Sequence, residues 1–262
     1  MGILQSVGKG FSESSKLLKI VLILFIFNFA MGLLALPFTG PQNVGKPQAA
    51  AMTILISLIS ILIFIFLQGG ALGLIRDLLK KNSFSLSDFV ANGKKYYLRI
   101  LGLFLTILAI ALVAIIILAL LSSGILAIAN NAFTRSLITA VIVVLSLIVI
   151  VLFLFPIYII VLEEKGPIEA IKRGIRVSLD NFWKTLGLFL LLLIIAFGLA
   201  FIIGILTALI SGALPITVGQ VIMLFTNGVL QSYLSIVMMI AFMTFYLGLS
   251  KQQSTPEGPT QT

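Results

Sequence analysis

Six long apolar segments, separated by short polar stretches, dominate the pattern of the chain. Each is near or above the roughly 20 residues that a helix needs to cross the hydrocarbon core of a bilayer. The pattern therefore predicts an all-α polytopic membrane protein, with one six-helix membrane domain over residues 1–250 and a disordered polar tail over 251–262. The predicted spans are Leu17–Leu36, Ala50–Leu67, Leu98–Leu121, Leu137–Leu162, Phe182–Ile210 and Val218–Leu249.

Proline and glycine divide the segment between the fourth and fifth spans. Pro156 predicts a kink inside the fourth span, since proline cannot donate the helical hydrogen bond. Gly166-Pro167 ends that helix and starts a short amphipathic one, which is expected to lie in the headgroup layer. The apolar face of this short helix is predicted to hold Ile168, Ile171, Ile175, Leu179 and Phe182, with Lys172, Arg173 and Arg176 on or beside the other face.

A second copy of this plan precedes the third span. The stretch YYLRILGLFL, which begins at Tyr96, aligns without gaps with NFWKTLGLFL, which begins at Asn181, and places Arg99 opposite Lys184. Upstream, SFSLSDFVANGKK corresponds to the short helix after Pro167, and the N-terminal GKGFSESSKLLKIVLIL is a fainter third copy. The alignment predicts a threefold repeat of helical hairpins with short interfacial helices. The alternative is chance identity in a chain rich in Leu and Phe.

Composition and charge placement give the membrane topology. Hydrophobic residues make up 60% of the chain, well above the roughly 45–50% of soluble domains. All basic residues except Lys46 and Arg135 fall at one end of the predicted spans, and so do all the acidic residues. Because basic residues stay on the cytoplasmic side, we expect a multi-pass protein of the cytoplasmic membrane with both termini in the cytoplasm. No carboxylate is left at mid-membrane depth, which argues against ordinary proton-coupled transport.

The chain lacks the side chains on which most catalytic and metal sites are built. It contains no His and no Cys, which excludes zinc sites of the HExxH type and Ser-His or Cys-His nucleophile systems. Glu163 and Glu164 are adjacent, but neighbouring residues on a helix diverge by about 100°, so their expected role is to neutralise Lys165 and Arg173. The sequence therefore predicts a protein that is not an enzyme and that binds no cofactor and no metal.

The net charge of +9 is confined to one membrane face and belongs to no aqueous domain. This distribution indicates binding to anionic membrane lipids and argues against nucleic acid. A membrane protein partner or a second copy of the chain, giving a homo-oligomer, is the other kind of partner expected. The side chains predicted to contact lipid headgroups are Lys94, Lys95, Arg99, Lys172, Arg173, Arg176 and Lys184.

Two sets of small residues in the spans predict close helix packing. Gly69 and Gly73 lie about one helical turn apart near the second span. A small-residue seam in the fifth span is predicted to pack within the monomer, with dimerisation as the alternative. This seam consists of Ala196, Ala200, Gly204 and Ala208.

A polar stripe runs along the sixth span. Asn227, Gln231 and Ser235 recur at the same spacing and therefore share one face of the helix. Because they cannot face lipid cheaply, they are predicted to point inward, toward Asn28 or Gln68. Hydrogen bonds between helices are the first interpretation, and a polar cavity or substrate path is the second.

Two stretches of the chain resemble a known group of membrane proteins. They read VLEEKGPIEAIKRGIRVSLDNFWKTLGLFLLLL and GGALGLIRDLLKKNSFSLSDFVANGKKYYLRIL. They resemble the six-helix bacterial and archaeal families that include the membrane domain of glycerophosphoryl diester phosphodiesterases and related uncharacterised inner-membrane proteins. The resemblance spans most of the chain and implies an integral membrane protein of largely unknown activity. The phosphodiesterase chemistry of those proteins belongs to a separate soluble barrel domain, so no catalytic residue is carried over. The motifs that carry it are Glu163, Gly166-Pro167, Glu169-Ala170, the basic pair after them and Asn181-Phe182-Trp183.

These observations favour one function and leave a second open. We expect a non-catalytic membrane protein with a structural or accessory role, whose basic interfacial helices engage anionic headgroups or a membrane partner. The alternative is a small permease or transporter subunit with a polar path lined by the sixth span.

Overall fold

The computed structural model describes residues 2–39, 43, 45–129 and 131–253, the last three without their side chains. Over these residues the chain is helical, with a 3₁₀ turn at Ser15–Leu17 and no strand. The α-helices are α1 (Ile3–Ser14), α2 (Leu18–Thr39), α3 (Pro47–Lys81), α4 (Asp88–Ile128), α5 (Ala132–Leu152), α6 (Pro156–Leu162), α7 (Pro167–Asp180), α8 (Phe182–Gly212) and α9 (Ile216–Gln253).

Six segments of the described chain are long and apolar enough to cross a membrane. The first comprises α1 and α2, the fourth comprises α5 and α6, and α3, α4, α8 and α9 supply the others. The predicted all-α polytopic membrane protein is thereby confirmed.

Several helices extend beyond the apolar windows that predicted them. α3 continues to Lys81, where Asn82 adopts a left-handed conformation with φ of 54° and ends the helix. α4 begins at Asp88 instead of Leu98, so the separate short helix predicted before the third span is wrong. The residues from Asp88 to the third span contain no proline, and the helix runs through Asn92-Gly93 without interruption. α9 continues to Gln253, three residues into the predicted tail, and the rest of the predicted tail, residues 254–262, lies outside the described residues.

The predicted kink in the fourth span is confirmed. α5 ends at Leu152, and α6 begins at Pro156, where proline occupies the first turn of the new helix. α7 begins at Pro167 as predicted, and a second break at Asn181 separates α7 from α8.

The chain divides into two compact units. Unit 1 contains the described residues of 1–95 and 187–262, and unit 2 contains Tyr96–Leu186. The centre of unit 1 is α9, because 72% of its apolar window is buried, against 17% or less in the other five spans. Phe242, Phe245 and Tyr246 of α9 are almost fully buried. Helices α1, α2 and α3 pack around them.

Glycines bring α3 and the start of α4 together in unit 1. A Cβ at Gly70 would stand 2.8 Å from the carbonyl oxygen of Phe89, and a Cβ at Gly73 would overlap the side chain of Asn92. The predicted close packing is therefore observed at Gly73. Gly70 makes a second close contact, and Gly69 is also buried.

Candidate functional site

α7 packs onto the rest of unit 2 mainly through small side chains. The ring of Pro156 lies directly against this face, because a Cβ at Gly174 would stand 2.7 Å from the proline Cδ. At about 100° per residue, the buried positions share one side of the helix. They are Ala170, Ile171, Gly174, Val177 and Ser178.

The buried hydroxyl of Ser178 satisfies the backbone at the kink beneath α7. Its Oγ donates a hydrogen bond to the carbonyl oxygen of Val151 at 3.1 Å. Pro156 has no N–H to donate to the carbonyl of Leu152, four residues earlier, and Ser178 Oγ also lies 3.5 Å from that oxygen. The Val151 carbonyl accepts a long bond of 3.4 Å from the Leu154 N–H. An unsatisfied carbonyl is costly in hydrocarbon. The position of α7 and the kink between α5 and α6 are therefore linked by a specific contact.

Two faces of α7 remain exposed. One is apolar and the other is basic. Ile168 and Leu179 are 63% and 58% exposed, and Ile175 between them is half-buried. Lys172 and Arg176 lie beside this apolar strip, about one helical turn apart, and both are exposed. We call these five residues the α7 surface.

The apolar face predicted to lie toward the membrane is not the face by which α7 packs on the protein. Of the predicted set only Ile171 is buried, while Ile168 and Leu179 are exposed. The face chosen for packing is the one that fits closely over the proline ring, and close fit requires glycine and alanine more than large apolar side chains.

A polar linker joins α6 to α7. Glu163 pairs with Arg173 at 3.0 Å, as predicted, while Lys165 pairs with Glu169. Glu164 adopts a left-handed conformation with φ of 57°. These contacts tie the first turns of α7 to the end of α6.

Two side chains of α4 support the linker at Glu164. Arg99 Nη1 donates to the carbonyl oxygen of Glu164 at 2.6 Å, and the Tyr96 hydroxyl donates to its Oε1 at 3.4 Å. Pro167 also lies against α4, because a Cβ at Gly102 would meet its Cγ at 3.1 Å. The linker is thus held on both sides within unit 2.

The residues predicted to contact headgroups differ in whether they already form hydrogen bonds or ion pairs within the protein. Arg99 and Arg173 are bound to the linker through Glu164 and Glu163. Lys172 and Arg176 are exposed, and no carboxylate in the described part of the chain forms an ion pair with either. Lys184 is also exposed, at the start of α8.

The remaining predicted headgroup residues lie elsewhere. Lys94 and Lys95 are exposed on α4 but belong to unit 1. Next to Lys184, Trp183 is 80% exposed, and its ring centroid lies 5.5 Å from that of Phe182.

The polar stripe of α9 does not point into the core of unit 1. Asn227 and Gln231 are exposed and Ser235 is half-buried, contrary to the predicted inward orientation. Asn28 instead donates to Ser232, with Nδ2 and Oγ 3.0 Å apart. Ser232 is the neighbour of Gln231, so the inward-facing polar position is one residue away from the predicted stripe.

The polar stripe lines an open groove between α8 and α9. This polar groove has a cavity volume of about 520 Å³. Its wall on α8 includes Ala196 and Ala200 from the small-residue seam. The rest of the seam is uncovered: Ala208 is exposed, and a Cβ at Gly204 would meet no described atom within 4 Å. The predicted packing of the seam inside the monomer is therefore not observed along most of its length.

The described residues bring together few side chains of the kinds that catalyse reactions or bind metal ions. In the parts of the chain that the structure covers, no group of three His, Cys, Asp or Glu side chains could hold a metal ion. Sequence reasoning missed Gly174, Ser178 and Gly70, whose roles depend on which helix lies opposite. Of these, only Gly174 had a visible signal, since it interrupts a helix made otherwise of good helix formers.

Comparison with known proteins gives a family without an assigned activity. No curated protein matches the chain, and no solved structure matches it. The resemblance to membrane domains of phosphodiesterases therefore stays a prediction. Residues 1–253 match the family model described as "Domain of unknown function (DUF7847)", and the chain belongs to this family.

Proposed function

We propose that this protein is a non-catalytic, structural or accessory protein of the cytoplasmic membrane, and that the α7 surface engages anionic lipid headgroups. Both termini lie in the cytoplasm in this proposal, on the side where the basic residues collect. The one observation that carries it is the α7 surface itself, an exposed apolar strip beside two exposed basic residues that form no ion pair with any residue the structure describes.

The two open faces of α7 suit the boundary between hydrocarbon and headgroups. Ile168 and Leu179 cannot be covered by α5 or α6, because α7 already docks on those helices through its other face. Lipid acyl chains are the natural cover for such a strip, and the adjacent basic side chains then reach the phosphate layer. Each basic residue near an anionic surface contributes about 1 kcal/mol. Lys172 and Arg176 together would favour anionic over neutral lipid by about 30-fold.

Lipid retention by matched variants tests this proposal. The protein is reconstituted into nanodiscs of equal parts phosphatidylglycerol and phosphatidylcholine, and retained lipids are counted by native mass spectrometry after mild detergent release. Replacing both Lys172 and Arg176 with Ala should reduce retained phosphatidylglycerol several-fold. Retention of phosphatidylcholine should not change.

Two controls distinguish lipid binding at the α7 surface from a general effect of lowering the net charge of the protein. Lys46→Ala with Arg135→Ala removes the same charge from the opposite predicted face, and it should leave phosphatidylglycerol retention unchanged. Arg173→Ala should have a small effect, because this guanidinium pairs with Glu163. Equal losses in the two double variants would overturn the proposal.

The alternative function, a permease or transporter subunit, would use the polar stripe. The groove at this stripe is open, and apolar side chains of both helices line it, such as Phe197 of α8 and Leu234 of α9. These features support a lipid-facing site better than a path across the membrane. We therefore retain lipid engagement as the proposed function.

A further inference from the structure

We propose that the polar groove between α8 and α9 is a second binding site, which holds an uncharged lipid through a hydroxyl or carbonyl group. The ligand's polar group would be bound by Asn227, Gln231 and Ser235. This site is independent of the α7 surface, since it lies entirely in unit 1 and contains no basic residue.

The depth of the groove makes its polar residues unusual. α9 begins at Ile216 and rises about 1.5 Å per residue, so Asn227 lies about 16 Å and Gln231 about 22 Å from that end. The hydrocarbon core of a bilayer is roughly 30 Å thick. With the hydrocarbon core taken to begin where the predicted sixth span begins, at Val218, both carboxamides stand at the level of acyl chains, where water is scarce.

Several other polar side chains in the spans are satisfied within the protein, although the buried hydroxyls of Thr185 and Thr244 have no partner in the described residues. Ser60 and Thr106 donate to carbonyl oxygens in their own helices at 2.7 Å, and Asn28 donates to Ser232. Within the described residues, the side chains of the polar stripe have no hydrogen-bond partner. Polar groups without partners are costly in hydrocarbon, so this face requires a partner from outside the chain.

The lining of the groove defines the class of ligand. No charged side chain lines it, so an anionic or cationic ligand would be left uncompensated. Carboxamides and a hydroxyl offer both donors and acceptors, which suits a hydroxyl or a carbonyl oxygen. The rest of the lining includes Leu230, Leu234 and Met238, and the volume of about 520 Å³ lies within the range of ligand pockets. The open side gives access from the bilayer.

A transmembrane helix of a second copy is a poorer occupant. Close approach of two helices requires small residues along the contact. Phe197 lines the groove beside Ala196 and is 67% exposed, so its ring obstructs a helix at the point where the seam meets the polar stripe. A flexible chain with one polar group can pass this ring.

Photolabelling with a pair of probes tests the assignment. One probe is a long-chain alcohol with a diazirine in its chain, and the other is the alkane of the same length with the same diazirine. Each is added to the reconstituted wild-type protein, and labelled peptides are identified by mass spectrometry. We expect saturable labelling of residues 196–200 and 227–238 by the alcohol, at least fivefold above the alkane.

Variants identify the groups that hold the alcohol. Asn227→Leu with Gln231→Leu should bring the two probes within twofold of each other. Ser235→Ala is the milder change and should lower labelling by the alcohol about twofold, which keeps the test usable if the double variant does not fold. Thr106→Val is the matched control: it also removes a polar group from a span, but this hydroxyl bonds to Gly102 of its own helix, so labelling should be unchanged.

Two results would overturn the proposal. Equal labelling of the groove by alcohol and alkane would mean that it holds ordinary acyl chains. Absence of labelling, together with disulfide-linked dimers of Gln231→Cys in oxidised membranes, would mean that a second copy covers the groove. The chain contains no native cysteine, so any such disulfide reports this position alone.

Discussion

The segments that precede the third and fifth spans lead into nearly the same sequence but differ in structure. Before the fifth span, α7 is a separate helix that ends at Asp180, where Asn181 Nδ2 donates to the Val177 carbonyl at 3.3 Å. Before the third span, the residues from Asp88 onward continue directly into α4. The sequences that follow, NFWKTLGLFL and YYLRILGLFL, do not explain the difference.

The difference lies in the residues upstream of these two sequences. Interruption of the helix and docking onto a neighbouring helix are separate properties of such a segment. The helix is interrupted at Asn181, whereas it continues through Asn92-Gly93 before Tyr96, where Gly73 and Gly93 pack α4 closely against α3. Docking brings glycine into the contact in both segments. Gly174 belongs to α7 itself, whereas the contact between α3 and the start of α4 has Gly70 and Gly73 on α3 and Gly93 on α4, where a Cβ would stand 2.8 Å from the Phe66 ring. The two segments therefore share a docking principle and differ in whether the helix is interrupted.

The largest loss of stability should come from overpacking the contact between α7 and Pro156. Gly174→Ala places a methyl group 2.7 Å from Cδ and 3.0 Å from the nitrogen of Pro156, and the ring cannot rotate away. We expect the free energy of unfolding to fall by an amount in the upper part of roughly 1–3 kcal/mol, the usual cost of overpacking. Reversible denaturant unfolding in mixed micelles measures this quantity.

A glycine with open surroundings provides the control for Gly174. Gly204→Ala adds the same methyl group on α8, where it meets no described atom within 4 Å. The free energy of unfolding should change by no more than about 0.5 kcal/mol. Equal losses at Gly174 and Gly204 would contradict the docking of α7 on Pro156.

A smaller loss of stability is expected at the segment before the third span, and a second substitution should partly restore it. Gly73→Ala overlaps the side chain of Asn92, and the loss should lie in the lower part of roughly 1–3 kcal/mol. Adding Asn92→Gly moves the glycine to the opposite helix and should recover about half of the loss. The same unfolding measurement applies, and a double variant that is less stable than Gly73→Ala would show that glycine is needed on α3 itself.

The smallest effect should come from the hydrogen bond at the kink. Ser178→Ala removes the donor to the Val151 carbonyl and should lower the free energy of unfolding by about 1 kcal/mol. Ser123→Ala is matched to it, since Ser123 donates to a carbonyl of its own helix and is exposed. If both variants lose the same stability, the Ser178 bond does not link α7 to the kink.

The sequence was sufficient for features that depend on local chemistry. Six spans follow from apolar length, the kink follows from Pro156, and the start of α7 follows from Gly166-Pro167. The pair between Glu163 and Arg173 also follows, because both lie close together in the chain around the same turn. Helix ends were less predictable, because polar and basic residues such as those near Lys81 and Asp88 remain good helix formers beyond the apolar window.

Features that depend on the partner helix were not predictable. The apolar strip of α7 with Ile168 and Leu179 was predicted to face the membrane, but nothing in the sequence indicated that the face with Gly174 fits against the Pro156 ring. The polar stripe was expected to face inward, because nothing in the sequence indicates that α8 and α9 leave a groove between them. The spacing of residues along the sequence identifies which of them share a helix face, but it does not identify what packs against that face.

Trp183 gives the joint between α7 and α8 an optical signal of its own. It is the one tryptophan of the chain, and its indole is 80% exposed beside Phe182. The tryptophan fluorescence of the intact protein therefore originates at a single place. Its emission wavelength and its quenching by brominated lipids report the immersion depth of this joint, without a dye and without a substitution.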